Sequence, residues 1–362
     1  MSLIGNSDQL SVIAESNIGR YWIGSGKWFA ITTTFGDLMI RGLFTRTFLG
    51  AGAFLFCACT ASAYAAYPDK PIKLIVTFVP GGGADLLARY LAKELSASLK
   101  QVVVVENKPG AGGLIGIDAG LAAAPDGYTL TLISSSYTVN PSLYKLKFDP
   151  VTGITPIVQA SSGPLLIVTP PEFPARTVPE LIALAKSKPG EINYASSGLG
   201  SIIHLATERF DSMAGIQMTH IPYKGGGNAQ TDLMAGQVGV YFAATASALP
   251  HVASGKMRAI AVTTPKRIAA LPQVPTVAES GLPGYDATLW YGLIGPKGMP
   301  QDVVDRLNKE VNLILKTEGA KEKLLADGAE PAGGTPAQFR DTIQKEIGVW
   351  GAIVKKLDIK PE

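Results

Sequence analysis

Four short Gly- or Ser-rich segments are the residues of this sequence whose types and spacing suit ligand binding. They are 81–84 (GGGA), 134–136 (SSS), 196–201 (SSGLGS) and 224–228 (KGGGN), and each follows a β-rich run and precedes a predicted helix. Because small residues leave backbone N–H groups accessible at a helix start, such turns bind anions. One such turn alone is more often an ordinary connection, but four together favour an anion-binding cleft.

Neutral donors dominate these turns. The hydroxyl groups belong to Ser134, Ser135, Ser136, Ser196, Ser197 and Ser201. Lys224 is the only basic residue within the four segments. Since a phosphate more usually recruits arginine, the pattern favours a carboxylate. Two turns lie before residue 140 and two between residues 190 and 230, and this division suits a ligand with two anionic ends.

Single residues beside the turns each have a structural and a binding interpretation. His204, near the start of a predicted helix, could line the site, although a packed structural histidine is commoner. Asp85 follows the first turn, where an acid either stabilises the helix N-terminus or shapes the site. Tyr223 adjoins the fourth turn, and Trp290 lies where the chain would return to the first domain. Aromatic residues such as Tyr223 and Trp290 most often pack in a hydrophobic core, but we expect these two to lie at the cleft.

Recognisable catalytic motifs are absent from the sequence. It contains no Walker sequence and no G-x-S-x-G elbow, and glycines 110, 112 and 116 miss the dinucleotide fingerprint by one residue. The three histidines, His204, His220 and His251, lack zinc-ligand spacing. We therefore expect no metal and no cofactor. The rival interpretation is an exported hydrolase or dehydrogenase, which the lack of a nucleophile–base pair disfavours.

Composition narrows the class of protein. Of 362 residues, 17% are charged, 40 are Gly and 25 are Pro, against about 25% charged in an average protein, which indicates a globular fold with many turns. The net charge of +3 is spread without blocks of like charge, so a nucleic-acid partner is not expected. Because single cores stop growing near roughly 250–300 residues, we expect two domains.

Residues 39–65 are predicted to be a signal peptide. Met39–Arg46 carries two positive charges and no acid, 48–59 is an uncharged apolar run, and small residues in A-x-A spacing precede cleavage after Ala65. The 12 apolar residues are too few to span a bilayer, which needs about 20. The mature protein would then be periplasmic.

The signal-peptide prediction also determines how we interpret the N-terminal extension and the two cysteines. Residues 1–38 show no sustained periodicity, and we interpret them as a mis-assigned or disordered extension, with Met39 as the true start. A lipid anchor on Cys59 is a weaker alternative. Both cysteines, Cys57 and Cys59, would leave with the signal, so the mature chain would have neither disulfides nor thiolate metal sites.

From residue 72, strand-like and helix-like patterns alternate, which is typical of parallel α/β units. Strands are predicted at 72–79, 102–105, 128–133, 165–168, 192–195, 217–222, 238–242 and 259–263, with an apolar segment at 289–294. Helices are predicted at 87–99, 114–123, 178–186, 202–214, 228–235, 248–254, 301–316, 320–326 and 336–355. The all-apolar run 102–105 predicts a strand buried on both faces.

Ordered sequence blocks run along the chain from residue 67. They include 67–72 (YPDKPI), 78–82 (FVPGG), 104–113 (VVENKPGAGG), 124–130 (APDGYTL), 140–144 (NPSLY), 194–198 (YASSG), 220–225 (HIPYKG), 249–251 (LPH) and 271–281 (LPQVPTVAESG). Together they resemble the solute-binding proteins of the tripartite tricarboxylate transporters, the Bordetella uptake gene (Bug) family. The resemblance covers essentially all of 67–358.

This resemblance implies the fold and the function. The fold is that of a type II periplasmic binding protein, with two α/β domains joined by a hinge and a ligand cleft between them. Domain 1 would comprise 66–167 plus 292–362, and domain 2 would comprise 168–291. The resemblance implies a monomeric, non-enzymatic protein that closes on a small carboxylate and docks on membrane subunits of a tripartite tricarboxylate transporter.

The resemblance also assigns binding residues. In domain 1 these are Phe78, Gly81, Gly82, Gly83 and Asp85. In domain 2 they are Ser196, Ser197, Gly198, Tyr223, Lys224 and Gly225. Backbone amides, hydroxyl groups and bridging waters would hold the carboxylates. This assignment agrees with the turns chosen from residue types alone.

Two departures from the family pattern indicate a less polar cleft. Ala84 stands where relatives commonly have threonine, and many relatives are more polar around Ala243, after the aromatic residue. We therefore expect an aliphatic or aromatic dicarboxylate rather than a hydroxylated acid such as citrate. A protein that presents its ligand to a sensor kinase is the alternative to a transporter component.

Overall fold

The computed structural model describes residues 67–360 and, further upstream, the backbone of residues 20–23 and 27–30. The upstream residues form an antiparallel pair, β1 (Arg20–Ile23) and β2 (Lys27–Ala30). The predicted signal peptide 39–65, with the start at Met39 and the alternative of a lipid anchor on Cys59, lies outside the described residues. These interpretations stay predictions.

From Tyr67 the chain alternates between strands and helices. The strands are β3 (Ile72–Val76), β4 (Val103–Asn107), β5 (Thr129–Ser134), β6 (Ile154–Thr169), β7 (Asn193–Ser196), β8 (Thr219–Pro222), β9 (Val240–Ala244), β10 (Arg258–Val262), β11 (Thr288–Pro296) and β12 (Glu330–Gly333). The helices are α1 (Gly83–Leu99), α2 (Leu114–Leu121), α3 (Asn140–Leu143), α4 (Val178–Ser187), α5 (Ile202–Ala214), α6 (Gly226–Met234), α7 (Thr245–Ala253), α8 (Gln301–Lys316), α9 (Glu318–Ala326) and α10 (Pro336–Lys356). None of the helices within residues 67–360 is long and apolar enough to cross a membrane.

The long strand β6 joins two α/β lobes. Its residues 154–164 pair with β11, and its residues 165–168 pair with β9. Lobe 1 therefore contains β3, β4, β5, β11, β12 and the first part of β6, whereas lobe 2 contains β7 to β10 and the end of β6. The expected class of two α/β lobes is confirmed, while the domain boundaries given above stay a prediction.

The sheet is mixed rather than parallel throughout, which corrects the expectation of uniform parallel units. Strand β3 pairs in parallel with β4 and β5, and β7 pairs in parallel with β8 and β9. Strand β6, however, runs antiparallel to β9, β10, β11 and β12. The reason is that β6 carries the chain from lobe 1 into lobe 2 and β11 brings it back beside β6.

Strand β4 contradicts the prediction of a strand buried on both faces. It is the edge strand of lobe 1 and pairs only with β3 in the strand order. Val102 and Val104 are 59% and 51% exposed. An apolar run predicts burial but does not reveal whether the strand occupies the centre or the edge of the sheet.

Each lobe has its own hydrophobic core. In lobe 1, β3 and β5 pack against the apolar face of α1 and against α8. In lobe 2, Leu165–Val168 of β6 and the strands beside it pack against α5. Helix α10 begins at a capping box, in which Thr335 and Gln338 exchange hydrogen bonds. Its residues Trp350 and Val354 pack into the core of lobe 2.

Candidate ligand-binding site

The four small-residue turns lie at the carboxyl ends of β3, β5, β7 and β8. They surround a cavity of about 30 Å³, enough for about one water molecule. The residues lining it are Phe78, Gly82, Gly83, Ala84, Ser134, Ser136, Ser197, Ile202, Ile203, Gly226, Tyr241, Ala244, Leu289 and Tyr291. Both lobes contribute, so the cavity lies in the cleft between them.

The first and fourth turns approach each other closely because both are made of glycine. A Cβ atom on Gly82 would lie 3.7 Å from the amide nitrogen of Gly226. Gly225 has a φ of +154°, and a Cβ atom there would lie 2.6 Å from Cγ2 of Val79. A side chain at Gly225 would have to displace Val79, whereas at Gly82 a Cβ atom makes ordinary contact and only a longer side chain would meet the backbone of α6.

The helix N-termini in the cleft that have no side-chain cap include those of α1 and α6. Helix α1 has Gly82 as its N-cap, and α6 has Gly225, and neither makes a side-chain capping hydrogen bond. The first N–H groups of a helix have no partner within the helix, and the helix dipole adds partial positive charge there. The two turns therefore supply donors for an anion from opposite sides of the cleft.

Asp85 stabilises the first turn through hydrogen bonds on the side away from the cavity. It is buried and accepts hydrogen bonds from the backbone N–H of Gly81 (3.1 Å), from Arg89 Nε (2.9 Å) and from Asn107 Nδ2 (3.0 Å). Burial alone would raise the pKa of Asp85, but the hydrogen bonds from Arg89, Gly81 and Asn107 outweigh it and lower the pKa. Asp85 does not line the cavity, so its contacts favour the site-shaping interpretation.

The second turn contacts the start of α5 across the cleft. Ser136 Oγ accepts a hydrogen bond of 3.0 Å from the backbone N–H of Ile202. Ser201 is the N-cap of α5, and its hydroxyl accepts from the N–H of His204. The Ser201 hydroxyl therefore caps α5, whereas Ser136 and Ser197 line the cavity.

Ser196 and the two histidines form a buried group behind the third turn. Ser196 Oγ accepts from the N–H of Gly198 (3.1 Å) and lies 2.6 Å from His220 Nε2. His204 Nδ1 accepts from the N–H of Gly200, and the rings of His204 and His220 stack at 4.0 Å. Neither Ser196 nor His204 lines the cavity, so both support the turn rather than face the ligand.

Tyr223 and Lys224 lie beside the cleft without lining it. The Tyr223 hydroxyl donates to Asp232 Oδ2 at 2.7 Å, and desolvation together with Asp232 raises its pKa to about 12. The Lys224 side chain is exposed. The part of the fourth turn that reaches the cavity is instead the backbone at Gly226.

Three other predicted residues lie away from the cavity. Trp290 is in the core of lobe 1, where its indole N–H donates to Glu346 and its ring meets Phe339 edge to face. Ala243 is fully buried in the core of lobe 2. Ser135 is also fully buried, and its hydroxyl has no hydrogen-bond partner.

Sequence reasoning missed several residues that line the cavity. Ile202 and Ile203 begin α5, Tyr241 and Ala244 belong to β9, and Leu289 belongs to β11. In β11, Leu289 and Tyr291 face the cavity, while Trp290 between them points to the core. The sequence places these strands beside turns but does not fix which alternate residues face the cleft.

The cleft wall is neutral. No lining residue is Asp, Glu, Lys or Arg, and the polar groups are serine and tyrosine hydroxyls with backbone amides. Within the described part of the chain, no group of three or more His, Asp or Glu residues could hold a metal ion. Among the described residues larger hollows exist, such as one of about 360 Å³ beside Gly163 and Lys266. None of the residues lining that hollow begins a helix, whereas Gly82, Gly83 and Gly226 at the starts of α1 and α6 line the cleft.

Comparison with known proteins identifies relatives along most of the chain. A family model described as "Tripartite tricarboxylate transporter family receptor" matches residues 87–359. Protein BugT of Bordetella pertussis (strain Tohama I) is 39% identical over 325 residues, covering 87% of this chain and 98% of BugT.

Solved structures are similar as well. An R. palustris protein solved with adipate has 34% identity and a TM-score of 0.79, covering 82% of this chain and 100% of that one. MatC from Rhodopseudomonas palustris, solved with bound malate, has 28% identity and a TM-score of 0.75, covering 80% of this chain and 100% of MatC.

Proposed function

The chain belongs to the tripartite tricarboxylate transporter receptor family, and from this premise we propose that it is a periplasmic solute-binding protein for a small dicarboxylate. The family and the fold are those of solute-binding receptors. The ligand would lie in the cleft between the two lobes and would be released to membrane subunits of a tripartite tricarboxylate-type transporter.

The single observation that carries this proposal is the pairing of donors across the cleft. The uncapped N-termini of α1 and α6 face the same small cavity from opposite lobes. Helix N-termini bind carboxylates through backbone N–H groups and the helix dipole. A ligand held mainly by neutral donors can be bound when the lobes close and released when they open.

The ligands of the similar structures support a dicarboxylate. Adipate occupies the R. palustris protein and malate occupies MatC, and both molecules carry two carboxyl groups. The adipate-bound protein has the higher identity to this chain, 34% against 28%. Adipate agrees with the sequence-based expectation of an aliphatic or aromatic dicarboxylate, whereas malate, which also carries a hydroxyl group, supports only the requirement for two carboxyl groups.

The lining residues favour a ligand with an apolar middle and no ammonium group. Ala84, Ala244 and Leu289 form an apolar part of the lining, which suits the methylene or ring carbons between two carboxyl groups. No carboxylate lines the cavity, so a ligand ammonium group would lose its hydration without gaining a counter-ion. We therefore propose that adipate or terephthalate binds more tightly than citrate or glutamate.

A thermal-shift screen of the purified protein tests the proposed function. Adipate and terephthalate should raise the melting temperature, because a ligand at about 100 times its dissociation constant stabilises the folded state by roughly 2.7 kcal/mol. Glutamate and citrate should give smaller shifts. A shift with citrate but with neither adipate nor terephthalate would contradict the proposed ligand class.

A further inference from the structure

Tyr241 is the one cavity-lining residue whose side-chain hydroxyl is buried without a partner. It lies in β9 and is fully buried. Other fully buried or nearly buried tyrosines in the described chain are paired: the hydroxyls of Tyr137 and Tyr285 donate to the carbonyl oxygens of Pro150 and Ala206 at 2.7 Å. Burying a hydroxyl group without a hydrogen bond is unfavourable. The Tyr241 hydroxyl would therefore be stabilised by a ligand that supplies an acceptor.

The position of this hydroxyl is defined by the fourth turn. Tyr241 Oη lies 2.8 Å from the place where a Cβ atom on Gly226 would be, and Gly226 is the first residue of α6. The Gly226 amide nitrogen is in turn 3.7 Å from the Cβ position of Gly82, at the start of α1. The hydroxyl therefore lies beside the N-terminus of α6, which in turn approaches that of α1.

Tyr291 provides a second phenol group in the lining of the cavity. Tyr291 Oη lies 2.7 Å from the Cβ position of Gly83, the first residue of α1. Burial raises the pKa of both phenols, and in Tyr241 the nearby Tyr291 raises it further. Both groups therefore keep their protons at neutral pH and can act as hydrogen-bond donors.

We propose that the Tyr241 hydroxyl donates a hydrogen bond to a carboxylate oxygen of the bound ligand, in the gap between the N-termini of α1 and α6. This inference rests on the proposed function and adds to it a specificity-determining residue. An anionic acceptor gains most from this donor, because hydrogen bonds to charged groups are about twice as strong as neutral ones. An ester or amide in the same place gains less.

The substitution Tyr241→Phe tests the inference, with Tyr285→Phe as the matched control. Both remove one buried hydroxyl from lobe 2. Tyr241→Phe should bind adipate about 10- to 100-fold more weakly, while the melting temperature of the ligand-free protein stays equal or rises, since no partner is left unpaired. Tyr285→Phe should lower the ligand-free melting temperature and leave the affinity unchanged.

Isothermal titration with adipate and thermal melts of the ligand-free variants provide both readouts. If Tyr241→Phe binds adipate as tightly as the unmodified protein, the inference is overturned while the proposed function stands. If Tyr241→Phe loses affinity only in step with a lower ligand-free melting temperature, the hydroxyl is structural and the inference is likewise overturned. Failure of the unmodified protein to bind any carboxylate would instead overturn the proposed function.

Discussion

His204 and His220 stack behind the third turn, and burial favours the neutral form of both rings. Ser196 Oγ accepts from Gly198 N–H, and its own hydrogen is available to donate to His220 Nε2 when that nitrogen is unprotonated. His204 Nδ1 accepts from Gly200 N–H, which leaves the ring hydrogen on Nε2, toward Glu208. A proton added to either acceptor nitrogen would disturb the turn that closes the cleft.

The electrostatics of this group make stability depend on pH. Burial lowers the pKa of His220 to about 4, and burial together with His220 lowers that of His204 to about 3. In the unfolded chain both titrate near 6.5. Between about pH 6.5 and pH 4 the unfolded state therefore binds more protons, so the folded state loses stability as the pH falls through this window.

Asp211 opposes this effect from the same helix. Burial raises its pKa to about 8, with Glu208 adding to the increase. Over the same window the folded carboxyl keeps a proton that the unfolded one has lost, so its contribution to stability grows as the pH falls. Because the two histidines His204 and His220 outnumber the one carboxyl group of Asp211, these three residues together give a net loss of folding stability as the pH falls.

We predict that the double variant His204→Asn/His220→Gln flattens this dependence. The asparagine oxygen can replace Nδ1 of His204 and the glutamine oxygen can replace Nε2 of His220 as acceptors, without a titrating ring. From pH 6.5 to 4.5 the melting temperature of the variant should fall less than that of the unmodified protein. Asp211 is common to both proteins and cancels in the comparison. Parallel curves would contradict the neutral-histidine account.

Residue types predicted the donors of the cleft but not every side chain that faces it. Glycine and serine turns are recognisable because only small residues leave the backbone accessible. Trp290 and Tyr241 show the limit, because strand residues alternate between faces and the phase depends on neighbouring strands. Trp290 consequently lies in a core, while Tyr241, hidden within an apolar strand, reaches the cavity.

Among the secondary-structure elements, the helices with apolar periodicity were predicted from the sequence. A strand that depends on pairing with residues far away in the sequence was not. The helices α1, α5 and α8 follow their apolar periodicity. The part of β6 before Leu165 contains Pro156 and Gly163, and the sequence did not predict a strand there. It is a strand because β11 and β12 both pair with it, a contact between residues far apart in sequence.

The glycine turn at the start of α1 provides an element-scale prediction. Gly82 has φ −84° and ψ 170°, an extended conformation that any residue adopts, so Gly82→Leu should fold. Its side chain would project toward Gly226 and fill a cavity of about 30 Å³. We expect a ligand-free melting temperature close to that of the unmodified protein, and loss of the roughly 2.7 kcal/mol of ligand stabilisation in thermal-shift assays.

Gly348→Leu is the control for this prediction. Gly348 lies within α10, and a Cβ atom there meets nothing within 4 Å. Replacing glycine in a helix should stabilise the protein by about 0.5–1 kcal/mol and leave ligand binding intact. Undiminished ligand stabilisation in Gly82→Leu would refute the placement of the ligand between the turns. Gly198 is a poorer test, because its φ of +123° strains any other residue.

At the scale of the molecule, the two lobes and their cleft follow from a chain that crosses between them. Sequence length and the alternation of elements predicted two α/β units, but not that β6 and β11 would join them in one antiparallel pair. The cavity in the cleft holds about one water molecule, because its volume of about 30 Å³ is far below the roughly 300–1,000 Å³ of typical ligand pockets. A dicarboxylate can therefore enter only if the lobes separate or the lining side chains move.

The most direct test of the central claim, that neutral donors between the lobes bind a dicarboxylate, is isothermal titration of the purified protein with adipate. We predict saturable binding of one adipate per chain, and no saturation with hexanoate, which lacks the second carboxyl group, over the same concentration range. Absence of heat with adipate, together with saturable binding of hexanoate, would contradict the account of a cleft built for two carboxylates.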